Sequence, residues 1–365
     1  MESNPTPKVT LQMIADIVGV SKGTVDRAMH NREGINEETK EKILQVIAEL
    51  NYKPNRAARS LALKKHKRVG VIIRSKPAFF WNTMEHGIIN AYQELQDYGI
   101  EILMSKLDHL NADPDELIKQ INQLLSNNLD ALILVPINTP VIQEKLSEIV
   151  TNGVTVVTLN DNIEFDGRLF YIGPNIQQGG RVGAQLMGTL LHGKGKIITI
   201  NNSYLNSYSY QKRISSFKDA MDSTYPDVRI VANYDYDYDQ SELYNAKIIK
   251  AMIENITDLK GIYNVDGASL YEIGSIVRDI RAKDLILVGH ESWSKVTELI
   301  RDGVIDATIN QDPYMQGYHA VRLVYKYLVE GEQPSFNEYY TRIDILLKEN
   351  LPVGANVINA IEDLV

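Results

Sequence analysis

"VTLQMIADIVGVSKGTVDRAMHN", Val9 to Asn31, carries the local pattern that decides how this chain begins. Thr10 can cap a helix from Leu11 to about Val18, with Met13, Ile14, Ile17 and Val18 as its apolar stripe. Gly19-Val20-Ser21 then makes a tight turn. Gly19 suits a left-handed C-cap, and Ser21 can cap the next helix, Lys22 to about His30. A third helix begins at Asn36, where Glu37 and Glu38 favour its positive end, and runs through Ile43, Leu44, Ile47 and Leu50. Two helices joined by a short Gly turn and closed by a third make a helix-turn-helix.

In that motif the second helix lies in the DNA major groove. Its outward residues here are Lys22, Gly23, Asp26, Arg27 and His30, while Val25 and Met29 face inward. Arg27 has the donor fork for a guanine edge, and Lys22 suits phosphate or guanine. A short charged helix is as readily a plain solvated surface, so the flanking sequence decides. "NYKPNRAARSLALKKHKR", Asn51 to Arg68, has Pro54, an Asn55 cap, and a short Ala-rich helix with Arg56 and Arg59. Such a helix is marginal alone and must dock on something. The minor groove is one such place, because an apolar wedge such as Leu61 can enter and kink a base step there.

Charge supports this reading. The chain has a net charge of -9, yet its first 68 residues hold 13 Lys and Arg against 8 Asp and Glu, and the rest hold 25 against 39. A basic head on an acidic body is the asymmetry of a nucleic-acid-binding module fused to something else. Binding is then local, with most of the body's acids more than a Debye length (~8–10 Å) from the phosphates.

These segments, together with the β/α body that follows, resemble the lactose-repressor (LacI/GalR) family of transcriptional regulators, over nearly the whole chain. The resemblance implies an all-α headpiece over residues 1–53, a hinge helix over 54–67 and an effector-binding, dimerising body over 68–365. That body would be of the periplasmic-binding-protein, ribose-binding type. Its two doubly wound parallel-sheet subdomains would be discontinuous, at about 68–172 with 312–340 and 173–311 with 341–365. DNA contacts are implied at Thr10, Ser21, Lys22, Gly23, Thr24, Asp26, Arg27 and Asn31, and in the hinge region at Tyr52, Asn55, Arg56, Ala58 and Leu61. Gly23 departs from relatives that carry a base-reading side chain there. Asp26 replaces a small hydroxyl residue, and it either accepts from a cytosine amino group or holds Arg27. Paired hinge helices meeting at one palindromic centre imply a homodimer on double-stranded operator DNA. "LPVGANVINAIEDLV" has no heptad tail of the kind that builds zipper tetramers.

The body alternates short apolar runs with amphipathic stretches. "RVGVIIR", "IEILMSKL", "ALILVP", "VTVVTLN", "GKIITIN", "VRIVANY", "KGIYNVD", "LILVGHE" and "DATINQD" read as strands. The alternation implies right-handed crossovers and parallel sheets. Ligands of open α/β sheets bind beyond the carboxyl ends of the strands. Phe79, Phe80, Trp81, Asn160, Asp161, Asp266, Glu291 and Gln311 stand at those ends, with Gln211 and Arg213 in the helix after the strand ending at Asn202. Aromatic faces with amides and carboxylates suit a polyhydroxylated ligand. Strand ends are polar in any α/β protein, so Asn201, Asn202 and Asp312 carry less weight. Among sugar-binding relatives, a basic residue is common in place of Asp161 and an amide in place of Val265. Asp161, Asp266 and Glu291 against Arg213 as the cation favour a neutral sugar or polyol, a balance that Arg74 and Lys76 would reverse by turning inward. "YDYDYDQ", Tyr234 to Gln240, lacks the Gly and terminal Glu of a calcium loop and reads as a loop before a helix.

Other classes fare worse. The chain has no cysteine, which excludes disulfides and thiolate sites. The seven histidines are scattered, with no H-E-x-x-H and no G-x-x-x-x-G-K-[ST]. No catalytic set, metal site or cofactor is therefore expected. Two carboxylates facing a sugar, such as Asp161 and Glu291, could hydrolyse it, but binding proteins have the same residues and a DNA-binding head argues for sensing. A transport sugar-binding protein would share the body, but it requires export and no helix-turn-helix. No signal-peptide h-region or run of ~18 apolar residues is visible, so a cytoplasmic location without membrane attachment is expected.

Overall fold

The computed structural model describes residues 9–29, 34–50, 66–108, 113–202, 207–280 and 284–351. The hinge helix and the positions His30, Asn31, Tyr52, Asn55, Arg56, Ala58 and Leu61 lie outside them.

The headpiece consists of α1 (Leu11–Val18), α2 (Lys22–Met29) and α3 (Glu37–Glu49). Each start has its side-chain cap. Thr10 Oγ1 accepts from the Met13 N–H at 3.3 Å, Ser21 Oγ from Thr24 at 3.1 Å, and Asn36 Oδ1 from Thr39 at 2.8 Å. Gly19 ends α1 in the left-handed region at φ 76°. Ile14, Ala15, Val25, Ala28 and Ile43 form the small core. The stripe on α1 is thus turned from the expected one. Leu11, Ile14, Ala15 and Val18 face the core, while Met13 and Ile17 are 40% and 58% exposed. Leu11, Ile14, Ala15 and Val18 recur at i, i+3, i+4 and i+7 and so share one helical face, which leaves Met13 and Ile17 off it.

The body begins with β1 (Lys67–Arg74), one residue inside the expected hinge, because the Lys67 N–H already donates to the Gly99 carbonyl at 2.8 Å. Next come α4 (Ala78–Leu95), β2 (Ile100–Leu107), α5 (Pro114–Leu125), β3 (Ala131–Leu134), α6 (Pro140–Thr151), β4 (Thr155–Leu159) and β5 (Phe170–Pro174). The chain then runs α7 (Ile176–Leu190), β6 (Gly195–Asn202), α8 (Tyr208–Thr224), β7 (Val228–Tyr236), α9 (Glu242–Asn255), β8 (Leu259–Asn264), α10 (Leu270–Asp279), β9 (Ile286–His290), α11 (Ser294–Arg301) and β10 (Ala307–Asn310). It closes with α12 (Pro313–Tyr325), β11 (Glu338–Thr341) and β12 (Asp344–Leu346).

Two six-stranded sheets result, ordered β11-β5-β4-β3-β1-β2 and β12-β10-β9-β8-β6-β7. Every pairing is parallel except β10 with β12. Both sheets reverse strand order beside their first strand, at β1/β3 and at β6/β8, and such switch points open a crevice at the strands' carboxyl ends. Strand alternation feeds apolar side chains to both faces: Val69, Val71 and Ile73 pack under α4 and α12, and Ile72 packs under α5 and α6. The second sheet is likewise covered by α7 and α8 on one face and by α9, α10 and α11 on the other. Between the sheets the chain crosses after Pro174, after Asn310 and after Thr341, so the walls of the crevice are tied at three places. No described helix is long and apolar enough to cross a membrane.

Candidate functional site

The headpiece and the crevice are the two places where polar chemistry gathers. On α2, Val25 and Ala28 are shut into the core, and Lys22, Gly23 and Arg27 are exposed on the other side. Asp26 is half-buried and engaged in a polar contact, so it is less open than its neighbours. Ser21 is tied to the Thr24 hydroxyl at 2.8 Å as well as to its backbone, which fixes the first turn of the helix. The result is a rigid helix presenting two cations on one face.

In the body, Phe80, Trp81, Asn160, Asp161, Arg213, Asp266, Glu291 and Gln311 line one cleft between the two sheets, as the sequence leads one to expect. Gln211 does not. It is exposed on α8, because Tyr210, Arg213 and Phe217 share the inward face at i, i+3 and i+7 and Gln211 is about 100° off it. Phe80 and Trp81 occupy the first turn of α4, packed edge-to-face at 5.0 Å and largely buried, with Phe79 stacked on Trp293 from the opposite wall at 5.1 Å.

Asp161 follows β4 but belongs as much to the other wall. Its Oδ1 accepts from the Ser209 N–H at 3.0 Å and the Ser209 hydroxyl at 2.7 Å, its Oδ2 accepts from Ser207 Oγ at 3.0 Å, and Asn162 N–H closes the set at 2.9 Å. Ser207 is the N-cap of α8, so a carboxylate from one wall sits on the positive end of a helix in the other. Asp266, after β8, accepts from Asn202 at 3.0 Å, Tyr210 Oη at 3.2 Å, the Ala268 N–H at 3.0 Å and the Tyr238 hydroxyl. Burial, then the charge of Asp266, drives the Tyr210 and Tyr238 phenols well above their usual range, so both remain donors.

Glu291 accepts from Gln311, and burial pushes its carboxyl up to about 7. Neighbouring His290 is fully buried against the Tyr263 hydroxyl at 2.8 Å, and burial holds its imidazole neutral. Asn160 donates to Gln316 at 3.0 Å, and Gln316 in turn donates to the Gln311 carbonyl at 2.9 Å, so the two walls share one amide chain. Asn160, Glu291 and Asp312 all hold left-handed backbone, at φ 63°, 63° and 54°, where the strands end at the cleft. Local strain is tolerated where it aims side chains.

Arg213 is 4% exposed and donates from Nη1 to the Val265 carbonyl at 2.8 Å, but its buried Nε has no hydrogen-bond partner. It is seated by α7, where a Cβ on Gly180 would lie 2.3 Å from the Arg213 carbonyl oxygen. Arg74 and Lys76 also line the cleft, so the expectation of Arg213 as its lone cation is corrected: β1 ends at Arg74 and delivers it, with Lys76 two residues on, to the mouth between the sheets. Ser207, Ser209, Tyr210 and Tyr238 are site residues that the sequence did not single out. The i, i+3 spacing of Tyr210 and Arg213 was the available signal. Tyr238 lies in "YDYDYDQ", whose first half completes β7 rather than forming a loop.

Against known families, residues 69–333 match the periplasmic binding protein domain, and residues 10–55 match the bacterial regulatory proteins of the lacI family. The ribose operon repressor of Lactococcus lactis is 24% identical over 326 residues, covering 87% of this chain and 90% of that protein. Catabolite control protein A of Priestia megaterium is 25% identical over 325 residues, covering 88% and 92%. Among solved structures, the glucose-galactose binding protein GanP from Geobacillus stearothermophilus superposes with a TM-score of 0.71 at 20% identity, covering 80% of this chain and all of that one. A putative LacI transcriptional regulator from Bacteroides fragilis gives 0.70 at 18% identity, covering 78% and 98%. The chain therefore belongs, through its body, to the periplasmic binding protein domain family, and it carries ahead of that body a helix-turn-helix domain of the lacI family of bacterial regulatory proteins.

Proposed function

We infer that this lacI-family regulator is a DNA-binding repressor that grips a palindromic operator as a homodimer and answers to a polyhydroxylated small molecule held in the cleft. The observation that carries this is the pairing in one chain of an exposed Lys22–Gly23–Arg27 face on a capped recognition helix with a two-walled cleft of aromatic, amide and charged groups. The names of the similar proteins, an operon repressor for ribose and a glucose-galactose binding protein, support a sugar as the effector class. The narrower expectation of a neutral sugar leaned on Arg213 being the only cation, and the lining by Arg74 and Lys76 removes that support.

We assign residues up to 53 to DNA reading, 54–66 to the hinge and the remainder to sensing and dimerisation. DNA contacts then extend from Thr10, Ser21, Lys22, Thr24 and Arg27 to Asn31, Tyr52, Asn55, Arg56, Ala58 and Leu61, with the cytoplasm as the working compartment. A sensor is favoured over an enzyme because the oxygens of Asp161 are engaged by the opposite wall and are poorly placed to act as base or nucleophile. An exported sugar-binding protein would account for the body but would have no use for the α2 face.

Fluorescence anisotropy of the full chain on a duplex selected from random sequence tests the reading. A sugar that binds the cleft should change operator affinity by tenfold or more, corresponding to ~1.4 kcal/mol of coupling. Sugar binding without any duplex binding would favour the transport reading instead.

A further inference from the structure

The cleft's spare donors and spare acceptors do not balance. An ionised carboxylate offers about four acceptor sites. Asp161 already receives four protein hydrogen bonds, from Ser207, twice from Ser209 and from Asn162. Asp266 likewise receives four, from Asn202, Tyr210, Tyr238 and Ala268. Neither acid can take a sugar hydroxyl without giving up a bond it has.

The donors are in the opposite condition. Arg213 is buried, yet among the described residues it forms no ion pair, and its Nε–H has no hydrogen-bond partner there. A buried guanidinium without a carboxylate is uncommon, because Arg is almost never fully buried unless paired. On the facing wall the Nε–H of Arg74 is also buried and without a partner, and Lys76 stands exposed beside it. Three cations therefore meet two saturated carboxylates and Glu291, whose carboxyl is pushed up to about 7 by burial. With Glu291 about half-protonated near neutral pH, the lining carries at most one excess positive charge.

We propose that the effector is a sugar acid, a polyhydroxylated molecule carrying a single carboxylate that is held between Arg213 on one wall and Arg74 on the other. This rests on the sensor reading above and names the ligand class for it. A carboxylate fits better than a phosphomonoester, which brings about −1.5 to −2 at neutral pH and exceeds the single charge to be matched. It also takes the two-pronged geometry that guanidinium offers. Because Arg74 and Arg213 come from different sheets, the anion would tie the walls together, whereas a neutral sugar would offer both guanidinium groups only uncharged oxygens.

The test uses the full chain and matched triplets of several configurations: the neutral aldose, its uronate or aldonate, and its 6-phosphate. Each is screened by thermal shift and then measured by titration calorimetry and for its effect on operator affinity. The expected result is that one or more sugar acids bind and alter operator affinity, with the matching neutral sugar at least roughly 30-fold weaker. Arg213→Gln should weaken that acid by roughly 10- to 100-fold. Arg74→Gln, at a half-buried position less tied to folding, should do the same if Arg213→Gln fails to fold. A neutral sugar binding more tightly than its acid, and shifting operator affinity, would overturn the charge assignment and leave the sensor reading standing. Binding of a 6-phosphate alone would overturn the choice of carboxylate. Tight acid binding unaffected by both arginine variants would place the ligand elsewhere and overturn the site. If no member bound at all, the sugar-acid assignment would fall, and the sensor reading would then depend on whether the chain binds its duplex.

Discussion

Glu291 is held in strained left-handed backbone at the end of β9, with its carboxyl in the cleft wall. Burial raises its carboxyl from an ordinary 4.5 to about 7, so the folded protein binds this proton more tightly than the unfolded chain does. The stabilisation is therefore complete below about pH 4.5 and lost as pH rises through about 7, with a total on the order of 3 kcal/mol. His290 contributes the opposite slope, because its imidazole is held neutral and must charge as pH falls. Glu291→Gln removes only the first contribution. Its melting temperature should exceed the parent's at pH 8 and converge on it near pH 5, and equal gaps at both values would show that Glu291 is not buried as a carboxyl. In the headpiece, Arg27→Ala should cost roughly 1–3 kcal/mol per half-site and relax preference at one symmetric pair of bases. Gly23 leaves room for a longer reader, since a Cβ there would meet only Ser21 Oγ at 3.7 Å. Gly23→Gln should fold normally and add a preference at the neighbouring base, which a change in the selected site would reveal.

The start of α8 is where the two walls are joined, through Asp161 on Ser207 and Ser209. A carboxylate at a helix N-terminus with hydroxyl and backbone donors is worth ~0.5–2 kcal/mol. Asp161→Ala should lower stability by about that amount and open the cleft, increasing the radius of gyration by small-angle scattering. An unchanged scattering curve would mean that the three chain crossings and the Phe79–Trp293 stack set the closure without Asp161. Within the first wall, α4 and α12 meet closely: a Cβ on Gly87 would lie 2.0 Å from the Tyr314 carbonyl oxygen and one on Gly317 would lie 2.2 Å from that of Met84. Gly87→Ala forces backbone apart, so a loss of roughly 1–3 kcal/mol in urea unfolding is expected. What could be seen in advance follows from the same physics. All nine strand runs with strong apolar character were legible, whereas β5, β11 and β12 were not. β11 and β12 are only 4 and 3 residues long, with partly exposed faces, and β5 runs into Gly173-Pro174. Strand-end residues of the cleft were legible because topology places them there. The seryl latch and Tyr238 were not, since they depend on how one wall meets the other.

Over its full length the chain separates its charge: basic residues are concentrated toward the headpiece and hinge, and acids predominate in the sensing body. That separation lets one polypeptide approach a polyanion with one end while the other forms a cleft under independent selection. The two sheets share a strand order, and the ligand would sit where both orders reverse, so that closing on it moves each wall relative to the other. The claim on which everything else depends is that α2 reads DNA sequence in a symmetric pair. Selection of bound duplexes from a random pool by the full chain tests it directly. The expected outcome is an enriched inverted repeat whose half-sites lose one base preference in Arg27→Ala, with affinity falling steeply as salt rises. A pool that shows no enrichment, or one whose preferred sequence is identical for parent and Arg27→Ala, would contradict it.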